Sequence, residues 1–242
     1  MEAIRIEGLT KKYKDVVAVD NLNLSVNRGE LFSLLGVNGA GKTTTIKMLS
    51  CLTKPTGGDA FLHGKSIRND AAAVKKLIAV SPQETAVAPG LTVRENLELI
   101  CGVHGFDKEK RNAKIAEVTG QLGLKEVSDK KARKLSGGWQ RRLSIAMALI
   151  SEPQILFLDE PTLGLDVIAR SELWELICAL KGKVTIILTT HYMEEAEALS
   201  DRIAIMKEGK LLICATAEEI KAAAGAERFE EAFVRLVKGV TK

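Results

Sequence analysis

The residues Gly36-Val37-Asn38-Gly39-Ala40-Gly41-Lys42-Thr43 carry the pattern G-x-x-x-x-G-K-S/T. Glycines let a backbone fold tightly enough for successive N–H groups to point at phosphate oxygens, and a helix beginning at Lys42 adds the positive end of its dipole. In this pattern the lysine reaches the β and γ phosphates of a nucleotide and the hydroxyl of Thr43 holds Mg²⁺. Gly36, Asn38, Gly39, Ala40, Gly41, Lys42, Thr43 and Thr44 are therefore the expected phosphate-binding set. A second constellation closes the apolar run Ile155-Leu156-Phe157-Leu158 with Asp159-Glu160. Ligands of open α/β sheets bind at such strand ends, which makes Asp159 the expected metal carboxylate. Two adjacent acids at a buried strand end repel each other and lose hydration unless a cation and a proton-transfer task offset the cost. Glu160 is accordingly expected to be the general base for an attacking water.

These side chains need strands to present them. The run Leu31–Leu35 is apolar without alternation, as suits a strand buried on both faces, and it feeds directly into the glycine loop and a helix from Lys42. Further on, a helix over 138–150, a strand over 155–158, a helix over 167–180 and a strand over 184–188 alternate, which implies a parallel sheet. The chain opens differently: residues 4–7 and 17–26 alternate apolar and polar, as half-buried antiparallel strands do. Short strands are also expected over 60–63 and 77–80, and a hairpin over 202–206 and 210–214 around Glu208-Gly209. Between Val93 and Gly123 the apolar spacing is helical, reading as a helical subdomain inserted at about 84–152. The expected organisation is a nucleotide-binding domain over 1–223 and a closing amphipathic helix over 224–242 built on Phe229, Ala232, Phe233 and Leu236.

Composition excludes several classes. Of 242 residues, 46% are hydrophobic and 27% charged, which is ordinary globular composition and not that of a disordered, collagenous or disulfide-scaffold chain. The net charge of +4 is too small and too dispersed for a nucleic-acid footprint, so no nucleic-acid partner is expected. The longest run without a charge, Leu31–Gly41, has eleven residues, whereas a membrane span needs about 20 apolar ones. The start Met-Glu-Ala-Ile-Arg lacks the order of a secretory signal, so a cytosolic chain is expected. Cys51, Cys101, Cys178 and Cys214 are far apart and form no C-x-x-C pair, which reads as small core hydrophobes in a reducing compartment.

Leu135-Ser136-Gly137-Gly138, followed by Trp139-Gln140-Arg141-Arg142, resembles the signature loop of ATP-binding-cassette (ABC) ATPases. A serine and two glycines at a helix start form a second anion-binding nest, suited to clasping a γ-phosphate from outside. The resemblance covers nearly the whole chain. It implies a phosphate-loop ABC fold: an α/β mixed-sheet core with an N-terminal antiparallel β subdomain and an inserted helical one. It also implies further roles, for Tyr13 as the aromatic that stacks on adenine, Gln83 as the metal- and water-sensing glutamine, Leu165-Asp166 as the dimer loop and His191 as the switch histidine. The family's cofactors are ATP and Mg²⁺, with nucleotide held between the phosphate loop of one copy and Ser136, Gly137 and Gly138 of a second. Glu194 and Glu195 are expected only to favour the N-terminus of the helix after His191.

Two departures stand out: Trp139 occupies the fifth signature position, where the family commonly has Gln, and the dimer loop reads Thr162-Leu163-Gly164-Leu165-Asp166. These variants, with Pro82-Gln83-Glu84, Leu91–Leu97 and Thr189–Glu197, resemble the exporter branch called ABC-2. That resemblance implies an energy-coupling subunit on the cytoplasmic face of a membrane, working with a separate permease. The alternative is a soluble single-cassette ATPase serving an assembly complex. A phosphate-loop kinase has no use for the Ser136 loop, and a genome-maintenance ATPase would need a coiled coil for which no heptads exist.

Overall fold

The computed structural model describes residues 1–239. The chain first builds a four-stranded antiparallel sheet, in the order β2-β1-β4-β5, from β1 (Glu2–Tyr13), β2 (Val16–Asn27), β4 (Gly57–Leu62) and the short β5 (Lys65–Ser66). A six-stranded sheet in the order β10-β9-β3-β8-β7-β6 carries the site; it uses β3 (Leu31–Leu35), β6 (Ile78–Ser81), β7 (Ile155–Asp159), β8 (Thr185–Thr190), β9 (Arg202–Lys207) and β10 (Lys210–Ala215). All neighbours in it run parallel except the β9–β10 hairpin at the edge. Every residue of β3, β7 and β8 is buried, which is why their sequences show no alternation.

Alternation reappears in what each face packs against. Phe157 and Ile187 join α1 (Lys42–Leu49) and the antiparallel sheet in one apolar cluster, while Leu156, Leu158, Ile186 and Leu188 join the helical layer in another. That layer holds α3 (Val93–Val103), α4 (Lys108–Gln121), α5 (Gly137–Leu149) and α6 (Val167–Cys178). The start of α3 is fixed by a capping box: Thr92 Oγ1 accepts from the Glu95 N–H, and the Glu95 carboxylate accepts from the Thr92 N–H.

Two helices escaped sequence analysis, α2 (Ala71–Leu77) and α8 (Ala217–Ala224); each is too short and alanine-rich for a clear apolar period. The strand expected over 77–80 begins at Ile78, because Leu77 ends α2. The cysteines are not uniformly core residues: Cys101 is buried, Cys51 and Cys214 are half-buried, and Cys178 is exposed near the end of α6.

The last helix, α9 (Phe229–Lys238), follows a turn at Gly225. Residues 240–242 of the expected 224–242 unit lie outside the described residues, and position 224 falls within α8. Phe229, Ala232 and Phe233 pack against their own chain, in a third cluster with Leu35, Ile203, Ile205, Ile220 and Ala196 of α7 (Met193–Leu199). Removing an aromatic ring from such a cluster leaves a cavity. Phe229→Ala is therefore expected to lower stability by about 3–5 kcal/mol, read as a reduced urea midpoint at unchanged slope.

Candidate active site

The glycine loop connects β3 to α1 across the C-terminal edge of the parallel sheet. Close approach dictates two of its glycines: a Cβ on Gly41, whose φ is 102°, would lie 2.5 Å from the Ala18 carbonyl oxygen, and one on Gly36 would lie 2.5 Å from that of Met206. No side chain caps the first turn of α1, so its N–H groups stay open to an anion. Lys42 is buried, and its ammonium donates to the carbonyls of Gly36 (2.7 Å) and Val37 (3.4 Å) and stands 3.7 Å from Glu160 Oε1. Burial lowers the Lys42 pKa, while the carboxylates of Glu160 and Asp159 act in the opposite direction.

The two acids at the end of β7 are held differently. Asp159 Oδ1 accepts from the hydroxyls of Thr43 (3.2 Å) and Thr189 (2.5 Å). Glu160 adopts a left-handed backbone at φ 48°, unusual for a residue with a side chain, and its N–H donates to both oxygens of Thr189. That turn carries its carboxylate away from Asp159, to a position between Lys42 and His191 Nδ1, which lies 3.2 Å from Glu160 Oε2. Thr189, at the end of β8, thus fixes both acids, a role that a hydroxyl in an apolar run does not announce in sequence.

A cavity of about 800 Å³ opens over this edge, lined by Tyr13, the loop residues Asn38–Thr44, Gln83, Glu160 and His191. Each of these is expected from the sequence, but not Val16, Val17, Ala18, Leu163 and Glu208, which complete the wall. Tyr13 is 45% exposed where it lines the cavity, with the Lys11 ammonium 4.9 Å from its ring centroid. Thr43 and Asp159 offer adjacent hard oxygens, and Gln83 can add an amide oxygen. Among the described residues no three His, Cys, Asp or Glu cluster as a metal cage. The donor set fits Mg²⁺, which commonly takes one or two protein oxygens together with substrate phosphates and water.

Ser136, Gly137, Gly138 and Asp166 do not line this cavity. Ser136 caps α5 by backbone alone, and its hydroxyl makes no cap hydrogen bond. Asp166 caps α6, accepting from the Ala169 N–H at 2.9 Å. Trp139 is half-buried against the helical layer, with the Arg142 guanidinium 4.6 Å from its ring and paired with Glu172. Gln140 donates to the carbonyls of Ala132 and Leu135, each at 3.2 Å, so the glutamine one place later grips the backbone that leads into the loop.

Glu195 corrects an expectation. Glu194 is exposed at the first turn of α7, but Glu195 is wholly buried and accepts from the Trp174 indole N–H at 3.1 Å. Burial raises its pKa, against the favourable influence of Thr190, Thr162, Trp174 and Arg170. The residue ties α7 to α6 rather than serving the helix dipole.

A family model described as ABC transporter matches residues 19–163. The chain belongs to the ABC transporter family. It is 40% identical over 229 residues to the daunorubicin resistance ATP-binding protein DrrA3 of Streptomyces coeruleorubidus, covering 94% of this chain and 72% of that protein. It is 38% identical over 240 residues to the probable multidrug ABC transporter ATP-binding protein YbhF of Escherichia coli strain K12, covering 97% of this chain and 41% of that one. A structure described as dimeric MJ0796, a bacterial ABC transporter cassette, superposes with a TM-score of 0.78 at 29% identity, over 88% of this chain and 98% of that one. This ABC cassette is thus an exporter-like, ATP-hydrolysing, energy-coupling subunit, and among its described residues no helix is long and apolar enough to cross a membrane.

The buried Glu195 makes stability depend on pH with a defined sign. A carboxyl whose pKa is raised in the folded state stabilises the fold at low pH, and that contribution is lost as pH rises through the folded value. Glu195→Gln, neutral throughout, is expected to exceed the parent in urea midpoint at pH 8, with the difference shrinking as acid protonates the glutamate.

Proposed function

We propose that two copies of this chain sandwich two MgATP and drive an exporter through a separate membrane-spanning permease, on whose cytoplasmic face they sit. Each composite site would take Lys42, Asp159, Glu160, Gln83 and His191 from one copy and Ser136, Gly137 and Gly138 from the other, with Asp166 at the joint. The carrying observation is the Glu160 carboxylate held between Lys42 at 3.7 Å and His191 at 3.2 Å, beside an Asp159 tied to Thr43. In this reading Tyr13 stacks on adenine, and the loop N–H groups from Gly36 to Thr44 cradle the phosphates. Lys42 holds the γ-phosphate, exchanging its carbonyl partners for phosphate oxygens. Glu160 accepts the proton of the attacking water, and His191 keeps that carboxylate and the γ-phosphate in register. Bound Mg²⁺ would be held by Thr43, Asp159 and Gln83 and would supply charge stabilisation at the phosphate oxygens. The segment 84–152, mostly helical, would act as the arm that moves the permease, within a cassette of residues 1–223 followed by a C-terminal unit.

The position of the signature loop supports a shared site: Ser136 has an unengaged hydroxyl at a helix start, yet lies outside its own chain's cavity. The relatives named for daunorubicin resistance and multidrug transport favour transport over service to an assembly complex, and support a drug as cargo.

Glu160→Gln should keep Asp159, Lys42 and the loop while losing the base. ATP binding is expected to persist in calorimetric titration while turnover falls by about 10²–10⁴-fold and MgATP holds the variant as a dimer in size measurements. A variant that turns over normally would refute the assignment.

Paired lesions test the shared site. Heterodimers with Lys42→Ala in one copy and Ser136→Arg in the other should retain one sound site. Placing both changes in one copy opposite an unmodified partner should damage both sites. Steady-state ATPase of the purified pairs is expected to be higher for the split arrangement; the reverse order would mean that each site is built within one chain.

A further inference from the structure

Arg141 lies one turn into α5, the helix that begins at the Ser136-Gly137-Gly138 loop, and turns away from its neighbour Arg142, which meets Trp139 and Glu172. It is only 5% exposed. Its guanidinium donates through Nη1 to the Pro82 carbonyl at 2.6 Å and through Nη2 to the Gln83 carbonyl at 2.5 Å. A second link joins the same elements, the Ser81 and Ser144 hydroxyls at 2.9 Å. Burial disfavours the charge of Arg141, and the carboxylates of Asp159 and Glu195 favour it.

The location of these carbonyls is informative. The chain leaves β6 after Ser81 and enters no further helix or strand until Val93, so no ladder fixes Gln83. Gln83 nevertheless lines the cavity over the sheet edge. The planar fork of an arginine presents two N–H donors in a fixed geometry, one for each of two successive carbonyls, whereas a lysine offers a compact ammonium on a flexible stem. An isolated buried charge is costly, and a residue needed only for packing would not have to be one.

We propose that Arg141 is the positioning residue of Gln83: it clamps the Pro82-Gln83 backbone to the helix that begins at the signature loop. The cavity glutamine and the Ser136 loop then move as one body, and the Gln83 amide faces the metal of the bound nucleotide only while α5 is seated. This rests on the ATPase reading given above and on Gln83 as a metal contact.

The test is a double-mutant cycle on the intact chain, using Arg141→Lys, Gln83→Ala and the pair. It reads ATP affinity by calorimetric titration in Mg²⁺ and in EDTA, together with kcat and thermal midpoint. Arg141→Lys is expected to bind ATP normally in EDTA, to lose about tenfold of the Mg²⁺-dependent gain in affinity, and to add no loss to that of Gln83→Ala. A full Mg²⁺-dependent gain in Arg141→Lys, or losses that multiply in the pair, would overturn the clamp. A full gain in Gln83→Ala would remove the role of Gln83 and the clamp with it, while the ATPase reading stands on Glu160→Gln. Arg141→Gln, which donates one hydrogen bond and buries no charge, repeats the cycle if the lysine variant does not fold.

Discussion

Two acidic side chains at the buried end of one parallel strand are the constraint on which this molecule turns. Asp159 and Glu160 follow each other at the close of β7, and adjacent carboxylates in so dry a place repel strongly unless they are separated and compensated. The left-handed backbone at Glu160 separates them, and Thr189 stabilises that turn by accepting the Glu160 N–H while its hydroxyl donates to Asp159. Compensation comes from Lys42 on the glycine loop, and His191 after β8 sets its Nδ1 beside the same carboxylate. Three neighbouring strands must therefore be parallel and in register, since only then do their C-terminal ends deliver loop, acids and histidine to one edge.

The rest of the architecture keeps that edge rigid. The parallel strands are enclosed by the antiparallel sheet and α1 on one face and the helical layer on the other, so the strand ends cannot shift without disturbing two apolar clusters. The third cluster seats α7, the helix that follows His191 directly, on α8 and α9. The C-terminal helix therefore stands behind the segment that carries His191 within the same chain.

Buried titratable side chains recur in the helices with a different purpose. Neither Arg141 nor Glu195 lines the cavity, and each joins separate elements: Arg141 links α5 to Gln83, and Glu195 links α7 to Trp174 of α6. Hydrophobic contacts alone would let these helices slide on one another. Directional bonds from buried polar groups fix their register, at a desolvation cost that a residue serving only as filler would not incur.

How much could be read from sequence follows from the range of each signal. The phosphate loop, the strand ending in two acids and the Ser136 loop are local: their chemistry is set by residues a few positions apart, so sequence alone determined the ATP-hydrolysing class, the parallel core and most of the cavity wall. The buried strands betrayed themselves through uninterrupted apolar runs, and α9 through its amphipathic spacing. Short alanine-rich helices such as α2 and α8 carry too weak a period to be seen. Glu195 looked like a dipole acid because its burial is decided by α6, which precedes it by some twenty positions in the chain. Arg141 looked like one more base of a charged motif because its partners at Pro82 and Gln83 lie some sixty residues earlier. Tertiary structure alone decided which charges are buried, which way Trp139 and Gln140 turn, and that the Ser136 loop stands outside its own chain's cavity, since each depends on contacts between segments that local sequence cannot bring together.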